Sequence, residues 1–73
     1  MSPKLPSLTA KELKKLAEAQ GFQKVRQKGS HARYSNPDGR STVIPVHSGK
    51  NIGKGLLLQI LYDIGVDPAD IRH

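Results

Sequence analysis

The sequence predicts an α+β domain in the order helix, three antiparallel strands, helix, with both helices against one face of the sheet. Three observations carry that prediction. Apolar residues recur at helical spacing near each end of the chain, short β-type runs separated by turn signals fill the middle, and 73 residues leave room for one core. Residues 1–73 are therefore expected to form a single domain. Residues 1–7 read as a loose leader, because Pro3 and Pro6 interrupt them and no apolar period runs through them.

The first helix announces itself at Thr9. Thr9 with Glu12 three residues on makes a capping box, and Leu8 before it is placed to staple against Leu13. Leu13, Leu16 and Ala17 form the apolar stripe, while Lys11, Lys14, Lys15 and Glu18 face water. Gly21 ends the helix by taking a left-handed conformation, with Phe22 folding back over Leu16 and Ala17.

Residues 22–28 predict a basic strand in which Val25 is the interior apolar position and Lys24, Arg26 and Lys28 share the opposite face. Gly29-Ser30 breaks it. His31 to Ser35 predicts a second strand, with Ala32 and Tyr34 on one face and His31 and Arg33 on the other. Asn36-Pro37-Asp38-Gly39 is a turn signal, since proline presets one turn dihedral and glycine supplies a positive φ. The third strand runs from Ser41 to Val46, and Pro45, which has no N–H to donate, marks an edge or a strand end.

The second helix is predicted from about Gly55 to Ile64, with Leu57, Ile60, Leu61 and Ile64 as its buried face. Leu56 and Leu58 lie off that stripe, either covering the sheet edge or meeting a partner. Gly65 closes the helix, and Asp67-Pro68-Ala69-Asp70 predicts a capped short turn after it. This topology leaves one sheet face free of helices, where the basic side chains are expected.

Composition excludes several functions. Leu, Ile, Val and Phe together number eighteen, about a quarter of the chain, enough apolar content to fold. The absence of cysteine rules out disulfides, zinc knuckles and a thiol nucleophile, and fits a cytoplasmic location. The longest apolar run, Leu56 to Leu58, is too short for a membrane span, and the start of the chain has no signal-peptide core.

The charge is uneven. Of the net +6, residues 1–23 carry +2, residues 24–54 carry +6 and residues 55–73 carry −2. In the middle segment Lys24, Arg26, Lys28, Arg33, Arg40, Lys50 and Lys54 face only Asp38. Such a belt attracts phosphate backbones or an acidic protein surface. Phe22, Tyr34 and Tyr62 are the only aromatics, too few for an aromatic base-stacking platform.

Neighbouring residues of a strand point to opposite faces, so neither Ser30 with His31 nor His47 with Ser48 makes a nucleophile and base while extended. His31 and His47 have no carboxylate cluster for a metal, and His47 to Lys54 matches no P-loop spacing, although a helix start there can hold one phosphate. Histidine among cations remains. Cutting RNA requires one group to take the 2′-hydroxyl proton, another to protonate the leaving oxygen, and positive charge on the phosphorane. If residues 36–39 form a four-residue loop, Ser35 pairs with Arg40 and His31 lies opposite Ile44. His47 is then on the other face, about 10 Å away, too far to share a phosphate unless a bulge shifts the register. His31 acting with Lys28, Arg33 or water is the arrangement this favours.

The string Lys28-Gly29-Ser30-His31-Ala32-Arg33-Tyr34, after a helix ending at Gly21-Phe22 and before Val43-Ile44-Pro45-Val46-His47 and Lys54-Gly55-Leu56-Leu57, resembles the HicA toxin family of type II toxin–antitoxin modules. The match runs from about Leu8 to Val66. The resemblance implies a double-stranded-RNA-binding-domain-like α-β-β-β-α fold that cleaves mRNA independently of the ribosome, with His31 catalytic and neither metal nor other cofactor. The implied partner is a HicB antitoxin that occludes the site and supplies the DNA binding of the complex, so the chain alone is not expected to bind DNA. Expected RNA contacts are Lys24, Arg26, Lys28, Ser30, Arg33, Lys50 and Lys54, with His47 as a candidate assistant. Two other readings share the basic face: an RNA-binding module that does not cleave, and a subunit whose basic face simply meets an acidic protein.

Overall fold

The computed structural model describes residues 7–47 and 49–71. Most of the leader expected over 1–7 lies outside them, and of that stretch only Ser7 is described, as an exposed residue. Helix α1 (Ala10–Ala19) opens on the expected capping box: the Glu12 N–H donates to the Thr9 hydroxyl at 3.3 Å, and the Thr9 N–H donates to the Glu12 carboxylate at 3.0 Å. Leu8 and Leu13 are both buried in the core. At the other end the Phe22 N–H reaches the Ala17 carbonyl and the Gly21 N–H that of Glu18, with Gly21 at φ +91°, the hydrogen-bond pair of a Schellman motif. Phe22 is thereby turned into the core.

Three antiparallel strands follow, in the spatial order β1 (Gln23–Lys28), β2 (His31–Ser35), β3 (Ser41–Pro45). β1 and β2 are joined by Gly29-Ser30. Gly29 has φ +59° and Ser30 does not have a positive φ, the sign pattern of a type II′ hairpin turn. β1 departs from simple alternation. The ladder shifts between Lys24 and Arg26, so that Lys24 pairs with Tyr34 and Arg26 with Arg33, leaving Val25 as a bulge. Val25, expected to point inward, is 59% exposed, and none of the six β1 residues is buried.

The register between β2 and β3 also differs from the four-residue-loop expectation. Ser35 pairs with Ser41 and His31 with Pro45, because the Asn36 N–H bonds the Arg40 carbonyl and adds one closing pair around Pro37-Asp38-Gly39. Burial explains why this register wins. It sets buried Ala32 against buried Ile44, buried Tyr34 against Thr42, and exposed Arg33 against exposed Val43, whereas a one-residue slip would oppose His31 to Ile44 and mix the faces. β3 ends at Pro45, one residue earlier than predicted, on an edge strand as its proline requires.

Helix α2 (Lys54–Ile64) begins one residue before the predicted start and buries Leu57, Ile60, Leu61 and Ile64. It closes like α1: Gly65, at φ +76°, donates to Tyr62 and Val66 donates to Leu61. Leu56 and Leu58 are about half exposed. A 3₁₀ turn (Pro68–Asp70) follows, capped by the Asp67 carboxylate on the Ala69 N–H at 2.9 Å.

Both helices pack on the Ala32, Tyr34 and Ile44 face of the sheet, forming one core with Leu8, Leu13, Ala17, Phe22 and Ile52. The segment before α1 is tied to the β3–α2 connection by the Ile52 N–H to Leu8 carbonyl bond at 2.8 Å and a bridge between Thr9 and Asn51. Thr42, buried among apolar neighbours, donates its hydroxyl to the Asp63 carboxylate of α2 at 2.9 Å, and Gln59 holds the other carboxylate oxygen at 2.9 Å. Among the described residues no helix is long and apolar enough to cross a membrane.

Candidate active site

The type II′ turn and the β2–β3 register together decide where His31 goes. It is the first residue of β2, partnered by Lys28 on one side and Pro45 on the other, and its side chain is exposed on the face that the helices leave open. Residues paired across a ladder share a face, so Lys28 and His31, and Arg26 and Arg33, stand together there. They line a shallow hollow of about 150 Å³ with Val43 as its apolar wall. Among the described residues no carboxylate lines it.

The one acid of the basic segment is held elsewhere. Asp38, in the β2–β3 turn, accepts the Arg40 N–H at 2.9 Å and the Arg40 Nε at 2.8 Å, and its own N–H donates to the Asn36 side chain. The hydrogen bond from the Arg40 backbone, then that from its side chain, hold the Asp38 carboxyl below the usual aspartate range. Arg40 also lies over the Phe22 ring at 5.3 Å. Asp38 and Arg40 thus satisfy each other at the far end of the sheet, and the charge around His31 stays positive.

The remaining sequence candidates are spread apart. Lys24 was expected beside Arg26 and Lys28, but the bulge at Val25 rotates it to the other face, where its Nζ donates to Gln27 at 3.0 Å. Ser30 sits in the turn next to His31, half-buried, with its carbonyl accepting the Val46 N–H at 2.6 Å. Lys50 lies exposed in the β3–α2 connection and Lys54 at the first turn of α2; neither lines the His31 hollow. His47 does not join His31 either. It lines a second hollow with Thr9, Ala10, Lys11, Lys14, Tyr34, Ile44, Val46 and Gly49. Lys11 and Lys14 read as a solvated helix face in the sequence; only their spacing of three, on one side of α1, hinted that they act together.

A family model described as the HicA toxin of bacterial toxin–antitoxin systems matches residues 10–66, from the start of α1 to just past α2. The chain belongs to the HicA toxin family. It is also similar to a protein of Pseudomonas fluorescens (strain Pf0-1) named probable mRNA interferase HicA, at 38% identity over 55 residues, covering 75% of this chain and 90% of that protein. The matched stretch contains the hairpin that carries His31 and the whole HicA sheet. As a HicA toxin, the chain has the α-β-β-β-α order in which a double-stranded-RNA-binding-like fold is built.

Proposed function

We propose that this HicA toxin is an endoribonuclease that cuts mRNA on its open sheet face, with His31 as the proton-transfer residue. The observation that carries this reading is the company His31 keeps: Lys28, Arg26 and Arg33 line its hollow and, among the described residues, no acid does. A phosphodiester entering there is held by cations, and His31 takes the proton of the 2′-hydroxyl as its oxygen attacks phosphorus. The bond to the 5′-oxygen then breaks, and that oxygen is protonated by Lys28 or water, with Arg33 staying charged beside it. Developing negative charge on the phosphorane faces the two guanidinium groups, which suit bidentate contact with phosphate oxygens. These groups supply the proton transfers and charge stabilisation without a metal. The name of the Pseudomonas relative supports mRNA as the substrate.

A HicB-type antitoxin is the partner this reading assigns, covering the basic face with an acidic or phosphate-mimicking surface and contributing the DNA contacts of the complex. Induced expression of the chain in a bacterial host tests the proposal. Growth arrest with loss of mRNA, relieved by the His31→Ala substitution, is the expected result. Equal arrest by both forms with intact mRNA contradicts it and favours a binding module without cleavage.

A further inference from the structure

The hollow that holds His47 has a volume of about 570 Å³ and lies on the helix side of the sheet, where four kinds of lining group converge. Lys11 and Lys14, both exposed, project from one side of α1. The first-turn N–H groups of a helix have no intrahelical acceptor, and with Glu12 capped by Thr9 those of Ala10 and Lys11 remain at the hollow's wall. Ala10, Ile44 and Val46 supply apolar surface. The fourth kind is Tyr34. This residue is only 3% exposed and lines the hollow; its hydroxyl bonds no described residue and is not itself a buried atom, so it opens into the hollow. With the ring buried and the hydroxyl open, the water it holds there can be exchanged for a polar edge of a ligand. Of the acids on α1, Glu12 is turned into the capping box, and Glu18 lies near enough to Tyr34 to act on it electrostatically.

We infer that this hollow binds one nucleotide of the RNA, adjacent to the phosphodiester held at His31. Its phosphate sits on Lys11, Lys14 and the start of α1; its base lies against Ile44 and Val46 with a polar edge on the Tyr34 hydroxyl; His47 flanks the mouth. The two hollows are separated only by the end of β3. His31 pairs with Pro45, and Val46, the next residue, bonds Ser30 while lining the second hollow. β3 is an edge strand, so a single strand leaving His31 passes round it without crossing another strand. This mode, a cationic track with one base inserted, needs no stacking platform. The inference rests on the open face being the RNA-cutting face.

The test uses the full chain carrying His31→Ala, which holds RNA without consuming it, and a short single-stranded RNA read by fluorescence anisotropy. Lys11→Gln with Lys14→Gln is expected to weaken binding roughly tenfold and to flatten the slope of log affinity on log salt by about 1.4, two single-strand phosphate contacts. Tyr34→Phe is expected to weaken it severalfold at unchanged salt slope. In a parallel amide NMR titration, uridine 5′-monophosphate should shift Ala10, Lys11, Val46 and His47, and inorganic phosphate should shift only the first two. If RNA affinity falls with Arg26→Gln and Arg33→Gln while the Lys11, Lys14 and Tyr34 variants bind normally, the inference is overturned and the cleavage reading stands. Absence of RNA binding by the parent overturns both. Loss of antitoxin affinity with unchanged RNA affinity in the Lys11 and Lys14 variant gives the hollow to a protein partner and also overturns it.

Discussion

His31 and Pro45 face each other in the β2–β3 ladder, at the closed end of the β1–β2 hairpin. That pairing turns His31 outward with Lys28, Arg26 and Arg33. It also ends the sheet at a residue without an N–H, so the chain leaves β3 and carries Val46 and His47 to the helix side. A single register therefore makes two separate histidine sites.

The β1 bulge divides the basic belt, which predicts unequal roles for its cations. Arg26→Gln and Arg33→Gln should each weaken RNA binding and lower the steepness of its salt dependence by about 0.7 for a single-stranded substrate. Lys24→Gln should leave both nearly unchanged, because Lys24 faces away and is engaged by Gln27. Affinity measured from 50 to 200 mM salt separates the two classes.

The glycines offer a test of the caps. A Cβ at Gly21 would sit 3.2 Å from the Asn36 side-chain nitrogen, which donates to the Gln20 carbonyl at 2.8 Å, and φ there is +91°. Gly21→Ala should cost roughly 1–2 kcal/mol. Gly55, inside α2 with open space around its Cβ position, should behave oppositely, Gly55→Ala adding about 0.5–1 kcal/mol. Urea midpoints at constant m-value read both changes.

Legibility followed locality. The Thr9-Glu12 box, the Gly21 and Gly65 terminators and the Leu57, Ile60, Leu61, Ile64 stripe each involve residues within one or two turns, and each stands where the sequence puts it. The Val25 bulge is set by its pairing with β2, and the extra Asn36–Arg40 closing pair, though local, is selected by which residues of β2 and β3 are buried together; each shifted the register by one. A single residue of slip exchanges faces, which is why Lys24 moved away from Arg26. Lys11 and Lys14 could not be joined to His47 from spacing alone, since it is the ties of Leu8 to Ile52 and of Thr9 to Asn51 that bring α1 to the β3–α2 connection.

The Thr42–Asp63 hydrogen bond ties α2 to the edge strand β3. Thr42→Val keeps the shape and removes the donor, and should cost about 1 kcal/mol, with the loss absent when Asp63 is already replaced by Ala. A double-mutant cycle in urea measures this coupling.

Two groups contribute a pH dependence to stability, one at each end of the scale. Burial, with a lesser contribution from the Glu18 carboxylate, raises the Tyr34 phenol above its ordinary value near 10. Its contribution is therefore complete below about pH 10 and lost as pH rises through the higher folded value. Tyr34→Phe should remove that part of the alkaline decline. Asp38 is the reverse case: lowered in the folded state, it favours folding above its ordinary value near 3.8, and the effect vanishes as pH falls through the folded value. Side-chain NMR titration should place the Asp38 midpoint below that of an unstructured peptide, and Arg40→Ala should bring it back up.

The central claim is that His31 moves protons while its neighbours hold the phosphate. The measurement that reaches it most directly is cleavage of a single-stranded RNA by purified His31→Ala beside the parent, with affinity for the same RNA measured on both. Because His31 is exposed, the variant should fold and bind normally while its cleavage rate falls by roughly 10²–10⁴. Cleavage at the parental rate by the folded variant would contradict the account.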